Sequence, residues 1–447
     1  MLFFLFTFLI VVENLLFFYW QTKKYKIINV TSYALFFLFI CYVLVPIFYV
    51  TDWLNIYDMY KVSFTSKDIT YEIHTISNAM IFIFYSMFFL GYFLKKRVVF
   101  QIKDRMKVKA IKNHLIVLTF ISAICFFIYL YTYGGLEYIL SNISQIRTGT
   151  SEYRNYLAIF IRLFSDYIFI VFLSLFFYKI STKKELFYLS DRTVKLLYVL
   201  FYITLIIILT KKFMDGGRGG MISVFIFMII IYSLKYKTIR LKYITLVIVV
   251  ALILVFFGKT ILFELFTDRD LPSIEFSYIE YLNRFLLEFA YPYISLVNVI
   301  YLNLSAERIF MDFYGWMFTL LKIFGINDLD AVSYYNTYHL IGIWRSVIPP
   351  GIVAFLLLEG GILMIPLGAF ILGIMFYHLD ILIYKISFSN NPILLALATI
   401  MIVQFTRLLN SADISLFIQS SFIFIILTLY LLIFKYITFY KVKRGTH

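Results

Sequence analysis

Two side chains able to move a proton stand in the stretch YYNTYHLIGIWRSVIPPGIVAFLLLEGGILMIPLGAFILG (334–373), His339 and Glu359. Arg345 follows the histidine, Pro349-Pro350 opens an apolar run, and Glu359 lies nine residues into that run, before Gly360-Gly361. An imidazole or a carboxylate at such a place can orient or deprotonate a hydroxyl. A lone histidine is more often structural than catalytic. The carboxylate is costly inside an apolar run unless it faces a wet cavity or a partner.

Two further stretches carry arginine. DGGRGG (215–220) lies between the apolar runs LFYITLIIILT and MISVFIFMIIIYSL. Gly216, Gly217, Gly219 and Gly220 allow positive φ and close approach of the backbone, so successive N–H groups can form an anion nest at a helix start. The span from Met221 would point its positive dipole end there, and Arg218 adds a full charge. The plainer reading is a glycine-rich turn between antiparallel helices; Lys211, Lys212 and Arg218 together favour an anion. The third stretch, SQIRTGTSEYRNYLAIFIRLFSD (144–166), sets Arg147, Arg154 and Arg162 seven and eight apart, along roughly one helical face. Asp166, four beyond Arg162, is placed to neutralise it.

The arginines are sorted. Lysine outnumbers arginine 26 to 14, and the short basic loops hold 20 Lys and 5 Arg, against 6 Lys and 9 Arg elsewhere. Arginine keeps its charge and offers a planar fork matched to phosphate oxygens. Charges kept against a topological gradient, near spans, point to function, although any one of them can snorkel to lipid phosphates.

The elements that must position these residues are membrane helices. The chain is 62% hydrophobic and 15% charged, and its apolar runs reach the ~20 residues that cross a bilayer. The runs are continuous rather than alternating, so an all-α polytopic membrane protein is expected and a barrel is not. Basic residues near 23–26, 95–112, 179–195, 235–242 and 441–444 mark cytoplasmic loops. About eleven spans (ten to twelve) follow, near 2–20, 28–50, 71–94, 114–133, 160–180, 196–212, 219–234, 243–262, 350–378, 392–408 and 416–436. The N-terminus is expected outside, as a retained span rather than a signal peptide, and the C-terminus inside.

Three regions result: spans one to eight in 1–262, a large extracytoplasmic segment 263–350, and the C-terminal spans 351–447. The middle region holds ten acidic residues against five basic ones, and EYLNRFLLEFAYPYISLVNVIYLNL and MDFYGWMFTLLKIFGI read as amphipathic helices. A structured loop of that length usually carries function. Two cysteines inside apolar runs and five scattered histidines give no disulfide framework and no metal-ligand spacing. The net charge of +15 sits in short loops, not on a folded patch, so no nucleic-acid partner is expected.

The GGRGG turn before a span, the segment led by Arg147, the large late loop and PPGIVAFLLLEGGILMIPLGAFILG after it together resemble the O-antigen polymerase (Wzy-type) family. These are the oligosaccharide repeat-unit polymerases of bacterial surface polysaccharides. The resemblance implies a GT-C-like helical fold in the bacterial cytoplasmic (inner) membrane, with the active site facing the periplasm. It implies a growing glycan and a repeat unit, each on undecaprenyl diphosphate in membrane lipid, and transfer of the glycan to a sugar hydroxyl without metal or other cofactor. Arg218, Arg147 and Arg345 would clamp the diphosphate with Arg154 in support, and His339 or Glu359 would orient or deprotonate the acceptor. A chain-length regulator and a flippase are the implied protein partners. A ligase reaction on the same donor, or a lipid-linked oligosaccharide flippase, are the competing readings; a flippase predicts an internal repeat, and none is evident.

Overall fold

The computed structural model describes residues 1–25, 27–51, 70–94, 100–104, 108–142, 164–181, 189–214, 218–238, 289–309, 332–342, 348–433 and 437–441, with isolated positions between 245 and 311. These residues form fourteen helices and one pair of short strands. Seven helices are long and apolar enough to cross a membrane. The chain is therefore a helical, polytopic membrane protein.

In chain order the helices begin with α1 (Leu2–Tyr25), α2 (Val30–Val50, with a π-helical turn over Ile40–Leu44) and α3 (Tyr71–Leu94). After strand β1 (Phe100–Asp104) come α4 (Val108–Thr132), α5 (Gly135–Ser141), α6 (Tyr167–Ile180), α7 (Asp191–Met214) and α8 (Arg218–Tyr236). Then follow α9 (Tyr291–Tyr301), α10 (Val332–Ile341), α11 (Ile352–Gly360), α12 (Met364–Ile386), α13 (Pro392–Ser411), α14 (Ile414–Ile433) and strand β2 (Ile437–Lys441).

Most expected spans coincide with helices; that over 71–94 has the bounds of α3. The span over 243–262 lies outside the described residues except for positions 245 and 249, and the first residues of that over 160–180 do too. Two expectations change. The span over 350–378 is broken: α11 stops at Gly360, Gly361 takes φ +69°, and α12 runs on to Ile386, so Asp380 and Lys385 belong to a helix rather than a loop. The first of the two expected amphipathic helices is represented by α9, whose residues 292–299 are all buried, so it is enclosed instead of lying on an interface. The second lies outside the described residues except for Met311.

Side-chain contacts sort the helices by direction. At one end Ile28 N–H donates to Ser233 Oγ at 3.0 Å, His114 Nε2 meets Tyr430 Oη at 3.0 Å, and β1 pairs antiparallel with β2. Toward that end the buried Asp380 carboxylate accepts from Gln21 Nε2, Tyr92 Oη and Thr31 N–H, capping the first turn of α2. At the other end the Met1 ammonium reaches Tyr71 Oη at 3.1 Å, His74 Nδ1 meets Tyr293 Oη at 2.9 Å, and Gly351 N–H reaches Ser411 O. The helix ends that lead into the expected basic loops gather at the first end; α9, α10 and α11 sit at the second.

The centre is close-packed around α3 and α12. Gly91 and Gly373 are the contact points: a Cβ on Gly91 would lie 2.2 Å from Phe370 O, and one on Gly373 would lie 2.1 Å from Phe88 O. Small residues let two helix backbones meet where lipid supplies no hydrophobic drive for association.

Candidate functional site

The break after α11 builds the site. A helix leaves its last carbonyls unsatisfied. Here Gly361 N–H returns to Leu357 O at 2.9 Å, while Ala306 N–H reaches Leu357 O at 3.0 Å and Arg308 N–H reaches Leu358 O at 3.1 Å. The segment after α9 is thus pinned by its backbone to the end of α11. It reaches that position through left-handed residues, Asn303 (φ 54°) and Ala306 (φ 61°). Asparagine tolerates that region; alanine there is strained, by roughly 1–2 kcal/mol.

This pinning carries Arg308 to Glu359, whose carboxylate is fully buried; Arg308 Nε stands 4.0 Å from Glu359 Oε1. The guanidinium carbon also lies 4.9 Å from the centre of the Tyr335 ring, a cation–π distance. Tyr335 Oη donates to Glu307 Oε2. Burial, and then this bond to Glu307, push the Tyr335 phenol above its ordinary pKa, so it stays a donor.

Helix α10 supplies both Tyr335 and His339, four residues apart on one face. The other face is tied down. Ser333 Oγ donates to Asp413, Asn336 Nδ2 donates to Ser295 Oγ and Ile348 O at 2.9 Å, and Thr337 Oγ1 accepts from Ile348 N–H. The His339 ring sits 4.4 Å, centre to centre, from Tyr335. Burial lowers its pKa below 6.5, against an opposing pull from Glu307. The imidazole is therefore neutral at pH 7, the form that accepts a proton.

His339 and Glu359, 20 residues apart in the sequence, thus belong to one cluster, joined through Tyr335 and Arg308. Arg308, Glu307 and Tyr335 are the members that sequence reasoning did not single out. Arg308 was legible only as one of the nine arginines outside the basic loops; nothing in its spacing pointed to Glu359, because the link is a long-range backbone pairing.

The other expected residues fall elsewhere. Arg147, Arg154, Arg345, Gly216 and Gly217 lie outside the described residues. Arg218, Gly219 and Gly220 form the first turn of α8, which starts three residues before the expected Met221. Of the nearby lysines, Lys211 is buried in an ion pair with Asp166 and a 2.7 Å bond to Ser165 Oγ, and Lys212 lies over the Phe169 ring. These two lysines brace α7 on α6 and its N-terminal edge, which removes them as support for an anion at the turn. Asp166, expected to neutralise Arg162, pairs with Lys211.

Among the described residues no group of three or more His, Cys, Asp or Glu side chains could hold a metal ion. No family model, no curated protein and no solved structure matches the chain, so a functional reading stands on these residues alone.

Proposed function

We propose that the chain polymerises oligosaccharide repeat units carried on undecaprenyl diphosphate, at the outer face of the bacterial cytoplasmic membrane. The observation that carries this reading is the cluster of the His339 imidazole, the Tyr335 phenol, the Arg308 guanidinium and the buried Glu359 carboxylate, at the end of the bundle opposite the β1–β2 pair. In this reading about eleven spans make a GT-C-like, asymmetric bundle, with the basic loops in the cytoplasm.

The transfer breaks the bond between the anomeric carbon of the growing glycan and its lipid diphosphate, and forms a bond from that carbon to a hydroxyl of the incoming unit. The hydroxyl proton passes to His339 Nε2 or Nδ1, and Glu359 holds Arg308 in place. Negative charge grows on the departing diphosphate, and arginines aimed at it stabilise the transition state. Arg147, Arg218 and Arg345, supported by Arg154, take that part in this reading.

Deleting the gene and sizing the surface glycan tests the reading. Surface chains of a single repeat unit are expected. Long lipid-linked chains with no surface glycan would make the transfer a ligation. Units retained on the cytoplasmic leaflet would make the chain a flippase.

A further inference from the structure

Helix α1 carries an acid midway along its length, Glu13, in the run LIVVENLLFF. Its Oε1 accepts from Ser86 Oγ of α3 at 2.8 Å, whereas its buried Oε2 has no hydrogen-bond partner. The next residue, Asn14, is buried: its Nδ2 donates to Ile10 O at 2.8 Å and its Oδ1 receives no donor. Tyr85, adjacent to Ser86 and fully buried, lies against both. Two consecutive residues of α1 therefore face two consecutive residues of α3.

The titratable groups around this contact are Tyr85 itself and, behind it, Cys41 and Tyr42 of the π-helical turn of α2. All are neutral at pH 7 at their ordinary pKa values. Among the described residues no basic side chain lies against Glu13. An ionised carboxylate in hydrocarbon needs a cation, water or a pathway to either. A neutral carboxylic acid needs none.

We propose that Glu13 is a proton-binding site in the membrane core, carrying its proton on Oε2 at neutral pH and exchanging it with water when the contact between α1 and α3 opens. A small monovalent cation held by the same oxygens is the outcome that would replace it.

Dicyclohexylcarbodiimide, which adds to neutral carboxylic acids in apolar surroundings, tests this on the full-length protein in lipid vesicles, with labelled peptides located by mass spectrometry. An ordinary exposed carboxyl is only about 0.2% neutral at pH 7. Labelling of Glu13 on the order of a hundredfold above that of the exposed Asp191 is therefore expected. Glu13→Gln, whose amide N–H replaces the acid O–H, should lose the label and keep the thermal midpoint of the wild type. Absence of label at Glu13 at pH 7 overturns the proposal. So does protection by sodium chloride relative to choline chloride at equal ionic strength, which assigns the site to the cation. A large fall in the thermal midpoint of Glu13→Gln also overturns it, because the neutral mimic would then be the wrong charge state.

Discussion

Glu359 has no exposed surface, and the Arg308 guanidinium at 4.0 Å offsets its charge. Removing one member of such a pair costs more than the pair is worth, since the other charge stays buried. Arg308→Met should therefore destabilise the protein by about 3–5 kcal/mol, read as thermal unfolding in detergent. Adding Glu359→Gln should recover most of that loss, while the proposed transfer stays absent in both variants. His339 gives the complementary test by pH. Its folded pKa is below 6.5 because of burial, so the neutral form persists as pH falls through 6.5. If the proposed transfer is the reaction, its rate should hold at pH 6.5 and fall only at lower pH, and the stability from burying the neutral ring should be fully present above 6.5 and lost as pH falls through the lowered folded pKa. Glu307 pulls the pKa upward, so Glu307→Gln should move the acid limb of the rate profile to still lower pH. An acid limb at or above pH 6.5 in the wild type would remove His339 as the proton acceptor.

Helices were legible where hydropathy alone decides them, and the break between α11 and α12 was not. The run PPGIVAFLLLEGGILMIPLGAFILG is apolar on both sides of Gly360-Gly361, so no periodicity marks the stop. What ends α11 is the positive φ of Gly361 together with N–H groups from Ala306 and Arg308, some fifty residues upstream. Ala306 holds φ 61° to make that junction, and Ala306→Gly should raise stability by about 1 kcal/mol, seen as a higher thermal midpoint. The crossing of α3 and α12 yields the opposite. Methyl groups at Gly91 or Gly373 would overlap backbone carbonyl oxygens, which cannot swing aside as a side chain can. Gly91→Ala and Gly373→Ala should each cost at least about 3 kcal/mol, the upper range for overpacking, and reduce the monodisperse fraction on size-exclusion chromatography.

At the scale of the whole molecule, the charge sorting read from sequence matches how the bundle brings its ends together. The C-terminal ends of α1, α3, α6 and α8 gather at one end, along with the strand pair that joins the segment after α3 to the chain after α14. His339, Arg308 and Glu359 lie at the other, along with the start of α8. Sequence could group the basic loops because loop charge is a local property; it could not assemble the cluster, because the backbone pairing of the segment after α9 with α11 is not. The strand register gives a direct check. Ile102 pairs with Phe439, so in a chain whose Cys41 and Cys125 are replaced by Ala, Ile102→Cys with Phe439→Cys should form a disulfide under mild oxidation. Ile102→Cys with Thr438→Cys should not, since a shift of one residue turns the side chain to the opposite face. The same cysteine-free background tests which end faces out. Tyr338, exposed on α10, should as Tyr338→Cys react with an impermeant maleimide on spheroplasts stripped of any outer layer, whereas Phe439→Cys should react only after the membrane is opened. The reverse pattern would put the cluster in the cytoplasm, where no translocated lipid-linked glycan is met, and would end the polymerase reading.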